Sequence, residues 1–148
     1  MRRRLTISLL AIGILLIPSP ALAGTARAGS DIRVLTAQLS GAEEVPGPGD
    51  PTASGSFIGK FNAGSGFICY ELTYEGTPAI AAHIHRGAAG VAGPVVVPLE
   101  TPSSGSVNDC ASADADLIRK IVSNPAGFYV NVHSAPFPAG SARGQLSS

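Results

Sequence analysis

Phe128-Tyr129-Val130-Asn131-Val132-His133-Ser134 is the stretch that decides the fold. Its aromatic and β-branched residues mark a strand, and successive side chains of an extended chain point to opposite faces. Tyr129, Asn131 and His133 therefore share one face, with Val130 and Val132 on the other. A second segment, Ala81-Ala82-His83-Ile84-His85-Arg86-Gly87, obeys the same rule and sets His83 and His85 on one face. These two segments hold all three histidines of the chain. If they are neighbours in one sheet, three imidazoles converge on one small site.

Further strands read outward from these two. Residues 31–39 alternate Ile32, Val34 and Thr36 against Arg33, Leu35 and Ala37. Residues 56–62 and 67–74 form a hairpin around Ala63-Gly64-Ser65-Gly66. Residues 40–54, with Pro46, Pro48 and Pro51, read as a polar turn region. Residues 79–85 carry the paired histidines, and Val95-Val96-Val97-Pro98-Leu99 is an apolar run of strand length. The glycines before that run, Gly87, Gly90 and Gly93, read as turn positions. A phosphate cradle would need a helix start directly after them. Residues 114–123 are the one helix candidate, with Ser112 or Asp114 as cap, Leu117, Ile118 and Ile121 as buried face, and Asn124-Pro125 as stop. After the 128–133 strand, 135–140 make a turn and 142–146 close the chain. Seven or eight short strands, scattered glycine and proline, and one helix predict an all-β fold. The expected form is an antiparallel Greek-key β-sandwich or barrel with one short helix.

The N-terminus reads as an export signal over residues 1–23. Arg2-Arg3-Arg4 is the basic region, residues 5–17 the apolar region, and Ala21-Leu22-Ala23 the small-residue cleavage site. The apolar run is shorter than the ~20 residues a bilayer span needs, and no second run follows, so no membrane span is expected after signal removal. The predicted organisation is a signal peptide at 1–23, a flexible segment at 24–31 and one β domain at 32–148. The product is expected to be exported, secreted or held in the cell envelope. Without the three leading arginines, ten Lys+Arg against ten Asp+Glu leave a net charge of about −3. That charge, with no basic stripe, argues against nucleic acid and anionic membrane surfaces. Tryptophan is absent and aromatics are 5%, which leaves little for a stacking platform. An unspecified protein or envelope partner remains open.

Cys69 and Cys110 are the only cysteines. In an oxidising compartment an even pair is most simply one disulfide. A pair of metal thiolates or a redox pair is the competing reading, disfavoured because no CxxC spacing is present.

The histidines carry the one constellation with chemistry in it. Residues two apart on a strand have Cα atoms ~6.6 Å apart, close enough for both rings to lean onto one ion with bonds of ~2.0–2.1 Å. His83, His85 and His133 would make a three-imidazole set with one open position, which suits copper or zinc. Asn131 and Arg143 are the candidate supporting residues, and Glu71 and Glu75 are conceivable outer carboxylates. The alternative is a polar cluster hydrogen-bonded to backbone or to Asn131. No catalytic residues are assigned. Gly64-Ser65-Gly66 and Gly140-Ser141-Ala142-Arg143-Gly144 lack the spacing and context of an esterase elbow. Glu43-Glu44 points apart on an extended chain and reads as a solvated turn rather than a glycosidase pair.

Several of these segments together resemble a known family. Leu39-Ser40-Gly41-Ala42-Glu43-Glu44-Val45-Pro46, Ala82-His83-Ile84-His85-Arg86-Gly87 with Gly90 and Gly93-Pro94, and Phe128-Tyr129-Val130-Asn131-Val132-His133-Ser134 look like the CHRD domain, first described in chordin and also found alone in exported bacterial proteins. Phe137-Pro138-Ala139-Gly140 and Ala142-Arg143-Gly144-Gln145-Leu146 complete a resemblance covering roughly residues 33–146. It implies a β-rich exported domain with a structural or binding role and no settled activity. Chordin's growth-factor binding does not carry over, because no cysteine-rich modules accompany the domain here. A weaker similarity, through His83-Ile84-His85 and the late Arg143 segment, is to copper–zinc superoxide dismutases. It would place His83, His85 and His133 as copper ligands and Arg143 as a substrate-guiding arginine. The chain has no further histidine for a bridging or zinc site. A metalloenzyme with copper-dependent redox chemistry is thus the alternative to a non-enzymatic role with one bound divalent metal.

Overall fold

The computed structural model describes residues 32–148; the expected signal peptide and the segment 24–31 lie outside the described residues. Three strands open the described part as a meander. β1 (Ile32–Ser40) pairs antiparallel with β2 (Ser54–Asn62), from Ile32 opposite Asn62 to Ser40 opposite Ser54. β2 then pairs with β3 (Phe67–Glu75) through the expected tight turn, where Asn62 caps the corner. Its carbonyl accepts the Gly66 N–H at 3.0 Å, and its Oδ1 accepts those of Gly64 and Ser65 at 3.0 and 3.1 Å. The polar, small turn residues satisfy most of their own backbone groups there, and the Gly66 carbonyl accepts the Ala113 N–H at 2.9 Å.

The remaining strands build the second half of the sheet. β4 (Ala79–Arg86) runs between β5 (Val95–Leu99) and β7 (Phe128–Ser134), and β7 pairs with β8 (Phe137–Gln145). β8 meets β1 where Arg143 faces Ser40, and β6 (Ser106–Ser112) adds to the far side of β3. The order is β5-β4-β7-β8-β1-β2-β3-β6, all antiparallel. β5 and β6 come alongside each other at the two ends of that order, so the sheet curls into a nearly closed barrel. β4, β5 and β6 follow one another in space, and the chain then returns to lay β7 beside β4, which is a Greek-key path. The expected all-β architecture is the observed one.

Inward side chains fill the barrel. Phe57 stacks on Tyr70 with ring centroids 5.6 Å apart and meets Phe61 edge-on at 6.3 Å. Ile84, Val97, Val130 and Val132 join them from the other half. The helix α1 (Ala115–Ser123) contributes Ile118 and Ile121 to the same core, and Asp114 caps it by accepting the N–H groups of Asp116 and Leu117. Of the two caps considered from sequence, Asp114 is the one used. Each fully buried side chain of this size contributes about 1.5–3 kcal/mol relative to exposure, which is why the interior decides the fold.

Cys69 and Cys110 face each other across the β3–β6 pair and form a disulfide closing 41 residues of sequence. β6 itself has no sequence signal of its own: its side chains are mostly exposed and polar, and register against β3 holds it in place. β8 begins at Phe137, earlier than the closing segment suggested, because the Phe137–Gly140 backbone already continues the strand. Residues 41–53 are a correction of a different kind. They are not simply a solvated turn region, because Glu44 and Asp50 are buried against the rest of the fold. Asp50 accepts the N–H groups of Thr52 and Thr77 and the Thr52 hydroxyl. These bonds hold its carboxyl at about 2, below the usual carboxylate value.

Candidate metal centre

β4 and β7 are adjacent, as the convergence of the histidines requires. His83 lies directly opposite Asn131, His85 opposite Tyr129, and His133 opposite Ala81. The three histidines thus share the outer face of the barrel, and a ligand nitrogen from each lies within 4.8 Å of the other two. Ring centroids are 5.1 Å apart for His83–His133, 5.6 Å for His83–His85 and 5.9 Å for His85–His133.

Two of the rings have their proton positions fixed by their partners. His85 Nδ1 is 2.9 Å from the Gly93 carbonyl and His133 Nδ1 is 3.1 Å from the Pro138 carbonyl. A carbonyl oxygen can only accept, so each Nδ1 carries the hydrogen and each Nε2 is left as a lone pair. Both Nε2 atoms are buried without a hydrogen-bond partner, as is His83 Nδ1. Three imidazole nitrogens bound tetrahedrally to one ion at ~2.0–2.1 Å stand about 3.3–3.4 Å apart. Tilts of roughly an ångström would bring the present set to that spacing, so the donor set fits copper or zinc. Burial lowers the pKa of His83 and of His85, and the neighbouring histidines push in the same direction. Both shifts favour the neutral imidazole that binds metal.

A layered support surrounds His85. Its ring stacks on Tyr129 at 4.9 Å, and the Arg143 guanidinium lies 3.5 Å from the Tyr129 ring centroid. Tyr129 in turn accepts the Gly93 N–H at 3.1 Å. Arg143, 2% exposed, donates to the Val91 carbonyl at 3.0 Å and the Ala88 carbonyl at 2.8 Å. It thereby ties down the 87–94 loop that delivers Gly93 to His85. A Cβ on Gly93 would run into the Arg86 carbonyl, so only glycine lets the loop fold back this tightly. Arg143 is thus committed to holding a loop, and its guanidinium is not free to meet a solute.

Asn131, 2% exposed, lies opposite His83 across the β4–β7 pair. Its Nδ2 donates to the Glu44 carboxylate and to the Ala142 carbonyl, the latter at 3.3 Å. Glu44 is the site residue that sequence reasoning missed. Burial raises its pKa from 4.5 to about 7 against the opposing pull of Arg143 and of the Asn131 and Val45 hydrogen bonds. A Cβ on Gly140 would collide with the Glu44 carboxylate, so the Phe137-Pro138-Ala139-Gly140 segment leaves the room that this side chain fills. The carboxylates considered from sequence are elsewhere: Glu71 and Glu75 project from β3, which is not a neighbour of β4 or β7, and both are exposed. Among the described residues, the three histidines are the one His/Cys/Asp/Glu group that could hold a metal.

No helix among the described residues is long and apolar enough to cross a membrane. Comparison with curated proteins and with solved structures finds no match. The family model described as the CHRD domain matches residues 35–146, from the inward Leu35 of β1 to Leu146 just beyond β8. That span takes in most of β1 and all of β2 to β8, the histidine face and the 41–53 and 87–94 loops that cover it, and the chain belongs to the CHRD domain family.

Proposed function

We propose that this is an exported binding module whose specific ligand is one copper or zinc ion, held by His83 Nδ1, His85 Nε2 and His133 Nε2. The observation that carries the reading is the set of three buried, unpartnered imidazole nitrogens facing one another. An unsatisfied buried polar atom costs about 1–3 kcal/mol, and a single divalent cation offsets that cost at all three nitrogens. Binding rather than turnover is favoured by the arginine of the candidate set, which is engaged in loop contacts. Export is supported by the basic and apolar N-terminal pattern and by the disulfide.

The test is metal content. Mature protein purified from copper- and zinc-replete medium is expected to carry one ion per chain by elemental analysis, and a His83→Ala/His85→Ala double variant almost none. Equal metal in both, or none in the wild type, refutes the site. Copper-loaded protein that turns over superoxide would favour the redox enzyme over the binding module.

A further inference from the structure

The fourth unsatisfied buried side-chain atom among the described residues is Asn131 Oδ1. It belongs to the same place as the other three, since Asn131 is flanked on its own strand by His133 and faces His83 across the sheet. Its orientation is not ambiguous. The Ala142 carbonyl can only accept, so the nitrogen of the carboxamide must point at it, and the same nitrogen donates to Glu44. Ala142 is on β8, and Glu44 packs against Gly140 of the same strand. The oxygen, on the other branch of the planar amide, is therefore turned away from β8 and towards β4, where His83 stands. Glu44 has no other hydrogen-bonded side chain, so holding this carboxamide is the contact its burial provides.

We propose that Asn131 Oδ1 selects the ligand that completes the metal's coordination, admitting a hydrogen-bond donor such as water or another small protic molecule and disfavouring acceptor-only anions. This rests on the metal reading above. Three imidazoles leave one position open on a four-coordinate ion. A fixed carbonyl-type oxygen beside that position bonds a proton on the incoming ligand, whereas azide or chloride brings only lone pairs against it. Asn131 acts here as a positioning residue and Glu44 as the group that sets its orientation.

Azide titration of the copper(II)-loaded mature protein, followed by the azide-to-copper absorption band, tests this without an activity assay. Asn131→Ala should bind azide about tenfold more tightly than wild type, the equivalent of one lost hydrogen bond. The paired exchange Glu44→Gln/Asn131→Asp keeps an acceptor at 131 and one carboxyl group in the pair, and should bind azide no more tightly than wild type. It also carries the test should the alanine variant not fold. Copper bound normally but azide affinity equal in wild type and Asn131→Ala, or tighter in the paired exchange, overturns this inference and leaves the metal site standing. A wild type that binds no copper overturns both.

Discussion

On β3 the buried residues Ile68, Tyr70, Leu72 and Tyr74 alternate with residues that are exposed or half-buried, while on β7 no side chain from Phe128 to Ser134 is exposed. Both strands belong to one curled sheet and send alternate residues into one core. The difference lies outside. The outer face of β1, β2 and β3 is bare, with Val34 and Ile58 each 49% exposed beside an open groove of about 740 Å³ that also takes in the disulfide. The outer face of β4, β7 and β8 is roofed by the 41–53 and 87–94 loops, and beneath them lie His85, Asn131, Ser141 and Arg143, polar and buried. Apolar packing inside the barrel accounts for the fold on both sides. Buried polar groups are costly to maintain, and they are concentrated under the roof, where the chemistry is.

The comparison predicts that damage on the bare side reaches stability alone. Replacing Cys69 and Cys110 by serine removes a cross-link over 41 residues and should cost about 3–4 kcal/mol in urea unfolding. Metal stoichiometry of the folded protein should not change, because the bridge joins β3 to β6 and touches no ligand strand. A lost metal in that variant would mean that the two faces are not independent.

Damage under the roof should reach both properties. Arg143→Ala leaves the Val91 and Ala88 carbonyls without their donors and should lower stability by about 1–3 kcal/mol. It also frees the loop whose Gly93 carbonyl orients His85. Metal affinity, measured by competition with a chelator, should therefore fall about 10–100-fold, as for other supporting groups of metal sites. An unchanged affinity would break the proposed chain from Arg143 through the loop to His85.

The same contrast explains what the sequence could be made to say. A two-residue period makes strand faces visible locally, so the pairing of His83 with His85 and the β2–β3 hairpin could be read directly. The placement of His133 needed β4 and β7 to be neighbours, which is a fact of topology. β6 was unreadable because Ser106–Ser112 is mostly exposed and its partner strand, not its own pattern, makes it a strand. Glu44 was misread for the complementary reason. It looks like a loop acid among its sequence neighbours, and the residue that buries it, Asn131, lies 87 positions away. Roofed faces are assembled from distant pieces and leave the weakest local trace.

Glu44 gives the sharpest prediction for the roofed face. In the folded metal-free protein its carboxyl keeps its proton up to about pH 7, whereas the ordinary value is 4.5. Between those values the folded state binds more protons than the unfolded state, so this group's contribution to stability is greatest below about pH 4.5 and is lost as pH rises through about 7. His83 and His85, with pKa values lowered by burial, act in the opposite direction, adding stability as pH rises towards 6.5. Wild type alone therefore shows a mixture. Glu44→Gln removes the carboxyl titration and keeps the shape and a hydrogen-bonding group for Asn131. The difference in unfolding free energy between wild type and Glu44→Gln cancels the histidines and should fall against wild type from pH 5 to about pH 7, flattening above it. A difference that stays level across that range would mean that the carboxylate is solvated after all, and that the 41–53 loop is no roof.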